Sequence, residues 1–216
     1  MTLAAAAHLI LFTYLILLVV WAATRRAATR QFAAGAPRIQ IPDPLRQGAP
    51  PGSLATGAGT ILAFLVNIGT LGLVLAAGFL PDMAARLERI RIALPAWLHV
   101  VGAGLFVLES TWGLWVLLAH PGYTPLYRRP GTELRLAMRG PYAIVRHPRY
   151  VAEATLHAIL FLLTGWWLPL LGILAWPEVR RQARAEEAFL ALAAPGLYAE
   201  YSRRTGRFLP RRPARR

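Results

Sequence analysis

The sequence predicts an all-α integral membrane protein with about five transmembrane helices, of which the last two form a helical hairpin. Hydrophobic residues make up 56% of the 216 residues, and the mean hydropathy is +0.43, which is more apolar than is usual for a soluble domain. The apolar residues are concentrated in runs that approach the length of a membrane-spanning helix. Arginines lie between and after these runs, as expected for loops that face an anionic cytoplasmic leaflet.

The chain is strongly basic, which raises the question of a nucleic-acid partner. The formal net charge is +14, from 24 arginines and 10 acidic residues. No nucleic-acid recognition motif accompanies the arginines, so the sequence predicts membrane lipids and no nucleic acid as partners. Cysteine is absent, which excludes disulfides, thiolate metal ligands and cysteine nucleophiles, and no metal site is predicted.

The first predicted span runs from Leu3 to Ala23, close to the roughly 20 residues that a helix needs to cross the hydrocarbon. It lacks the basic start of a signal peptide, and its apolar stretch is longer than the roughly 7 to 15 residues of a signal-peptide core. Trp21 and a group of arginines follow at its C-terminal end, which places that end in the cytoplasm and the N-terminus outside. These arginines are Arg25, Arg26 and Arg30.

Two further spans are predicted after a cytoplasmic linker at residues 35–53, whose prolines resist helix formation. The second span, Leu54 to Leu80, is rich in glycine, and small residues permit close helix packing in lipid. The third span, Ile92 to Leu118, returns the chain to the cytoplasm, because the loop before it carries less positive charge than residues 24–48. Residues 1–119 are therefore predicted to contain three transmembrane helices.

Residues 120–210 are predicted to form a cytoplasmic region that holds a cofactor, together with a membrane hairpin at 151–177. Residues 120–150 are polar and rich in proline and arginine, so they do not cross the membrane. The next run is apolar and long enough for one tilted helix, but Gly165 and Pro169 interrupt it, which favours two short helices. Both ends of the hairpin then face the cytoplasm, where the flanking arginines are expected.

A charged helix from Glu178 to Ala194 is predicted to follow the hairpin and to end at Pro195-Gly196. A short amphipathic segment around Tyr198 and Tyr201 comes next. Residues 211–216 form a basic tail, which is predicted to be disordered and to contact lipid headgroups. The C-terminus is therefore predicted to be cytoplasmic.

An ordered set of motifs on both sides of the hairpin carries the chemistry of the chain. The motifs are Arg139-Gly140-Pro141-Tyr142, Val145-Arg146-His147-Pro148-Arg149-Tyr150, Glu186-Glu187, Tyr198, Tyr201 and Arg207-Phe208-Leu209-Pro210. Gly140-Pro141 turns the chain just before the hairpin, and the returning helix brings back two carboxylates. This mixture of donors, acceptors and aromatic rings suits a charged cofactor with an amino-acid end.

The ordered set resembles the C-terminal half of the isoprenylcysteine carboxyl methyltransferases and their bacterial relatives, over residues 120–210. The resemblance implies an integral enzyme of the plasma (inner) membrane that uses S-adenosylmethionine to methylate a hydrophobic or lipid-linked acceptor. It also implies which residues bind the cofactor, at the positions that match the family's motifs. These are Leu134, Arg135, Leu136, Ala137, Tyr142, His147, Pro148, Arg149, Tyr150 and Glu186.

The acceptor side departs from the family at one position. Four residues before Glu186, where the family carries the arginine that holds the substrate carboxylate, this chain has Gln182. Glutamine cannot give the bidentate charged grip of arginine, so either Arg184 or Arg181 replaces it or the substrate is not a prenylated carboxylate. Gln182, Arg184 and Glu153 are the predicted catalytic residues, and Glu153 lies within the apolar hairpin, where a carboxylate is costly.

Structural interpretations of the same residues remain open. Capping explains His147, a solvated helix face explains Glu186 and Glu187, and contact with headgroups explains Arg146 and Arg149. Among functions, carboxyl O-methylation leads and amine N-methylation of a phospholipid headgroup is second. A membrane reductase resembling the sterol reductases and a non-catalytic scaffold or transporter subunit are further alternatives. The sequence leaves open the acceptor, the oligomeric state and the role of an acidic residue within the third span, Glu109.

Overall fold

A computed structural model of the chain describes residues 1–42, 54–121 and 133–211, with the backbone alone for residues 54–58 and 60. The helices are α1 (Leu3–Gly35), α2 (Leu54–Phe79), α3 (Pro81–Glu88), α4 (Ala96–Ala119), α5 (Pro141–Ile144), α6 (Pro148–Thr164), α7 (Trp176–Ala193) and α8 (Pro195–Arg204), and a 3-10 helix covers Leu168–Ala175. Most of the predicted linker, part of the predicted cytoplasmic segment and the basic tail beyond Arg211 lie outside the described residues.

Three helices of the described chain are long and apolar enough to cross a membrane, namely α1, α2 and α4. Only 22% of the most apolar stretch is buried in α1 and in α4, and 33% in α2. Most of their apolar side chains therefore face outward, among them Phe12, Val19 and Val100. An apolar surface of this extent favours lipid as its surroundings, which supports the predicted membrane class.

Helix α1 is longer than the first predicted span. It continues past Ala23 to Gly35, so its 33 residues extend about 50 Å, beyond the roughly 30 Å of the hydrocarbon. The span was predicted to end at Ala23, just before the first arginines, but alanine and arginine are both strong helix formers. The helix therefore continues through Arg25 and Arg30.

The chain is mostly helical, as predicted for an all-α protein, and departs from that class at one place, where two short strands pair. Strands β1 (Arg38–Gln40) and β2 (Glu133–Arg135) form an antiparallel ribbon in which Ile39 lies opposite Leu134. Each strand has three residues, too few for an alternating pattern to be recognised, and the partner lies far along the chain. The loop predicted after α2 also contains a helix, α3, which begins with a proline at its first position.

The chain divides into two compact units. The first unit comprises Met1–Ala22, Thr60–Leu114 and Ala152–Trp176, and the second comprises Ala23–Gly59, Trp115–Val151 and Pro177–Arg216. The core of the first unit is built by α1, α2, α4 and α6. Its buried members are Leu3, Ala6, Ala7, Ile10, Leu71, Val74, Ala77, Phe106, Leu156, Ile159, Leu160, Leu163 and Trp166.

The helices of the first unit approach most closely at glycines. A β-carbon at Gly78 would collide with Ala7, and one at Gly102 would lie 2.8 Å or less from the backbone of Leu162 and Leu163. Small residues allow this approach in lipid. An interhelical hydrogen bond adds to the packing, since the Asn67 amide donates to the carbonyl of Glu153 at 3.2 Å.

The apolar run after α5 is broken at Gly165, as the sequence predicts. Gly165 has a φ of +77°, a conformation that favours glycine, and the return arm packs on α6 because Gly172 lies against the ring of His157. The second of the two predicted short helices is a 3-10 helix rather than an α-helix, and Gly172 within it disfavours an α-helix. Its 8 residues of 3-10 helix extend only about 16 Å, too short to cross the hydrocarbon.

Two side chains cap the C-terminal end of α6. The Nε of Arg91 donates to the carbonyl of Thr164 at 2.6 Å, while its terminal nitrogen pairs with Glu88. His99 Nδ1 lies 2.9 Å from the carbonyl oxygen of Leu162, to which it donates in the Nδ1–H tautomer. The carbonyls at the end of a helix lack helical partners, and these contacts satisfy two of them within the protein.

Replacing Gly172 by alanine should destabilise the protein by about 1–3 kcal/mol, because the added methyl group overlaps the imidazole of His157. The measurement is the midpoint of thermal unfolding in detergent. Gly69→Ala is the matched control, since nothing lies within 4 Å of a β-carbon at that position, and it should leave the midpoint unchanged or slightly raised. Equal midpoints for the two variants would contradict the packing of the hairpin.

Candidate functional site

The candidate site lies in the second unit and begins at the turn formed by Gly140. This residue has a φ of +61°, which other residues rarely adopt, and a β-carbon there would lie 3.1 Å from the indole nitrogen of Trp115. The position therefore requires glycine. The turn starts α5, which buries Tyr142, and the hydroxyl of Tyr201 donates to the carbonyl of Tyr142 at 2.7 Å.

The segment after α5 pairs with the end of the chain. The backbone N–H groups of Arg146 and His147 donate to the carbonyls of Gly206 and Arg207, at 2.8 and 3.1 Å. The ring of Phe208 lies 5.8 Å from the imidazole of His147, measured between centroids. The motif at the end of the chain therefore holds His147 in place just before α6 begins.

Helix α7 buries three polar side chains on one face. Gln182, Glu186 and Glu187 are 1%, 5% and 8% exposed. Gln182 and Glu186 share this face because four residues are close to one helical turn, and Glu187 follows directly. The interpretation of the two glutamates as a solvated helix face is therefore wrong.

Glu187 is held by side chains from two other segments. Its Oε1 accepts from Arg146 Nε at 3.0 Å and lies 3.2 Å from His147 Nε2, and its Oε2 accepts from Arg207. Burial alone would raise the pKa of Glu187, but the hydrogen bonds from His147, Arg207 and Arg146 outweigh it and hold the pKa well below its usual range. Glu187 is therefore ionised at neutral pH, and Arg146 is its half-buried partner, not a headgroup anchor.

Glu186 receives its hydrogen bonds from neutral groups instead. The hydroxyl of Tyr150 donates to Oε1 at 2.8 Å, and the amide of Gln182 donates to the same oxygen at 3.3 Å. His147 Nδ1 lies 3.6 Å from Oε2, and the ring of His147 stacks on that of Tyr150 with centroids 5.3 Å apart. Burial raises the pKa of Glu186. This carboxylate is therefore suited to a cationic or hydroxyl group of a ligand.

The other predicted cofactor residues take varied positions. Leu134 and Arg135 lie in β2, and Leu136 and Ala137 are buried directly after it. Leu136 belongs to the core of the second unit, where Ile39, Tyr198 and Tyr201 are also buried. Of the residues at the start of α6, Pro148 is fully buried and Arg149 is exposed.

Of the predicted catalytic residues on α7, Gln182 lies beside Glu186 and Arg184 does not. Arg184 is exposed, because it lies about 200° around the helix from both Gln182 and Glu186. Arg181, the other predicted replacement for the family's arginine, is also exposed and pairs with Glu178. The structure therefore brings neither arginine to the buried face.

Two acidic residues, Glu153 and Glu109, lie on helices of the first unit. Glu153 is half-buried in α6, and its carbonyl accepts from Asn67. Glu109 is half-buried in α4, and a β-carbon at Gly113 would lie 4.0 Å from its Oε1.

The sequence analysis did not assign roles to Glu187 and Arg207, although both belong to the motifs. Two adjacent glutamates in a sequence do not reveal that both are buried. His120, which no motif marks, was also missed. The ring of His120 lies 5.6 Å from that of Tyr142 and 4.9 Å from that of Phe32. Burial lowers the pKa of His120 to about 4, so the ring is neutral at pH 7 and completes an aromatic group around Tyr142.

The arrangement suits a charged organic ligand. Among the described residues, no group of three or more His, Asp and Glu side chains is arranged to hold a metal ion. No protein-family model matches the chain, and no curated protein matches it.

Glu187→Gln should lower the free energy of unfolding by about 3 kcal/mol at neutral pH, because it leaves the half-buried guanidinium of Arg146 without its counter-charge. The folded-state pKa of Glu187 is depressed, so its contribution is present above the unfolded value of about 4.3 and is lost as the pH falls through the folded pKa. The difference between wild type and variant should therefore shrink in acid. Chemical unfolding in detergent at a series of pH values measures it.

Glu200→Gln is the control for this experiment, because Glu200 pairs with Arg204 at an exposed site and should contribute little. A stability difference for Glu187→Gln that stays constant from neutral pH to strong acid would contradict the ionised state of this carboxylate.

Proposed function

We propose that this chain is an integral membrane methyltransferase that uses S-adenosylmethionine to methylate a lipidic or hydrophobic acceptor. The proposal depends on one observation: His147, Tyr150 and Glu186 lie together in one buried cluster, although Tyr150 and Glu186 are 36 positions apart in the sequence. The resemblance implies cofactor contacts at these same positions. A scaffold protein would not need such polar groups buried together, since their burial is costly.

The donors and acceptors of the cluster fit the cofactor. Glu186, whose donors are neutral, matches the ammonium group or the ribose hydroxyls, and the aromatic rings near Tyr142 match the adenine. When bound, S-adenosylmethionine supplies a methyl group that is electrophilic because it is attached to a sulfonium. The residues of the chain then have to hold that group in position and exclude water.

Positioning is the main contribution expected from the protein. An acceptor held in line with the methyl carbon reacts with an advantage of up to about 7–11 kcal/mol over one that diffuses freely. No covalent bond to the enzyme is required. When an anionic acceptor meets the sulfonium, the charges cancel, and the burial of Glu186 and its neighbours favours that cancellation by excluding water.

Carboxyl O-methylation is the leading reaction, because a carboxylate is ionised at neutral pH and needs no general base. Amine N-methylation is the second candidate, and one observation favours it. Gln182 is uncharged, 1% exposed and donates to Glu186, so this position offers no cation to an acceptor carboxylate.

The membrane arrangement belongs to the same proposal. We infer that α1, α2 and α4 span the plasma (inner) membrane and that the hairpin of α6 and the 3-10 helix supplies the last two membrane segments. The distribution of arginines supports an outside N-terminus and a cytoplasmic C-terminus. A hydrophobic acceptor would then enter from the bilayer, and the soluble cofactor from the cytoplasm.

His147→Ala and Glu186→Ala should each lower the affinity for S-adenosylhomocysteine by about 10- to 100-fold, since each removes a buried polar partner of the ligand. Isothermal titration of the purified protein measures the affinity, and both variants should still be found in the membrane. Glu200→Ala, an exposed glutamate outside the cluster, is the control and should bind as the wild type does.

Unchanged affinity in both variants would mean that the pocket lies elsewhere. If the wild type bound a nicotinamide cofactor and not S-adenosylhomocysteine, the proposal would be replaced by a membrane reductase.

Gln182→Arg should change the acceptor preference more than the cofactor affinity, because it adds the guanidinium that can grip a carboxylate. Lipid extracts are incubated with isotopically labelled methyl donor and analysed by mass spectrometry, and alkali distinguishes labile methyl esters from stable methylamines. Gln182→Met controls for loss of the amide without added charge. Identical acceptor profiles for wild type and Gln182→Arg would show that position 182 does not face the acceptor.

A further inference from the structure

Arg207 has a donor that no described residue satisfies. Its terminal nitrogen donates to Glu187, whereas its Nε is shielded from solvent and has no hydrogen-bond partner within the described chain. The side chain as a whole is 35% exposed. The guanidinium therefore reaches both the buried cluster and its open side, with one buried donor unused.

A buried N–H group without an acceptor is costly, so a ligand that accepts from it gains more than an ordinary surface hydrogen bond. A guanidinium carries its donors in a planar fork whose geometry matches a carboxylate. The pairing with Glu187 keeps Arg207 charged, because the hydrogen bond that Arg207 donates to that carboxylate raises the pKa of Arg207 above its ordinary value.

We propose that Arg207 binds a carboxylate of the ligand in this cluster. The inference rests on the proposed function and deepens it, because it assigns the charged donor that Gln182 does not provide. Among the arginines that reach the cluster, Arg146 uses its Nε on Glu187 and a terminal nitrogen on the carbonyl of Ser202 at 3.2 Å. Arg207 alone of these two keeps a buried donor unused.

The position of Arg207 suits this role. Its carbonyl accepts from the backbone of His147 at 3.1 Å, and its guanidinium and the imidazole of His147 both contact Glu187. His147 in turn lies 3.6 Å from Glu186. The imidazole of His147 thus lies between Glu186, whose hydrogen-bond donors are neutral, and Glu187, which pairs with the cation of Arg207.

Two sources of the carboxylate are compatible with this chemistry. One is the amino-acid end of the cofactor, whose ammonium would pair with Glu186 while its carboxylate pairs with Arg207. The other is the carboxylate of the methyl acceptor, which needs a cation near the reacting groups. The experiment has to separate these sources from each other and from a purely structural role in holding Glu187.

The test compares two ligands that differ in their carboxylate. S-adenosylhomocysteine carries the amino-acid end, and 5′-methylthioadenosine lacks it. Their affinities are measured by isothermal titration for the wild type, Arg207→Gln, Arg207→Lys and the control Arg204→Gln, an exposed arginine paired with Glu200. Arg207→Lys keeps a charge for Glu187 but removes the planar fork and the Nε donor.

If the cofactor supplies the carboxylate, both Arg207 variants should bind S-adenosylhomocysteine at least about tenfold more weakly and 5′-methylthioadenosine with little change. If the acceptor supplies it, both affinities should stay within about twofold of the wild type, while the KM for N-acetyl-S-farnesylcysteine rises at least about tenfold. Arg204→Gln should match the wild type in every measurement.

Equal weakening of the two ligands would show that Arg207 only holds Glu187 and would overturn the inference. So would unchanged affinities together with unchanged or absent methyl transfer to N-acetyl-S-farnesylcysteine. The failure of the proposed function is a different result, since the wild type itself would then bind neither ligand.

Discussion

The candidate site depends on one buried carboxylate, that of Glu187. Arg146, His147 and Arg207 all contact it, and these residues come from the segment before α6 and from the end of the chain. Placing an ionised carboxylate in a buried position is unfavourable unless its lone pairs are used, so each of the three partners has to stay in place. The charge of Glu187 thereby acts together with the backbone hydrogen bonds between these segments in fixing their relative positions.

Two adjacent glutamates consequently have different roles. Glu187 is ionised and paired with charged groups of the chain, whereas the hydrogen-bond donors to Glu186 among the described residues are the neutral groups of Tyr150 and Gln182. Burial raises the pKa of Glu186, whereas hydrogen bonds hold the pKa of Glu187 below its usual range. His147 lies between the two and makes their positions interdependent.

The apolar part of the chain follows a related rule, because backbone groups in lipid have to be satisfied within the protein. Helical carbonyls lack partners where α6 ends, and the side chains of Arg91 and His99 donate hydrogen bonds to two of them. The backbone of α6 lies against Gly102 and the ring of His157 lies against Gly172, so closely that a side chain at either position would not fit. Polar side chains in this region thus complete the backbone, whereas those around Glu187 organise a site.

The sequence by itself determined the features that repeat along the chain or occupy a few adjacent residues. These are the three apolar helices, the break at Gly165, the turn at Gly140 and the placement of Gln182 and Glu186 one helical turn apart. Only the tertiary structure decided that Glu187 is held by charged partners, that Arg146 is one of them, that Arg184 faces away from Glu186 and that β1 pairs with β2. The reason is physical: hydrophobic runs and helical spacing are local, whereas the burial of a charge and the pairing of three-residue strands depend on partners brought from distant segments.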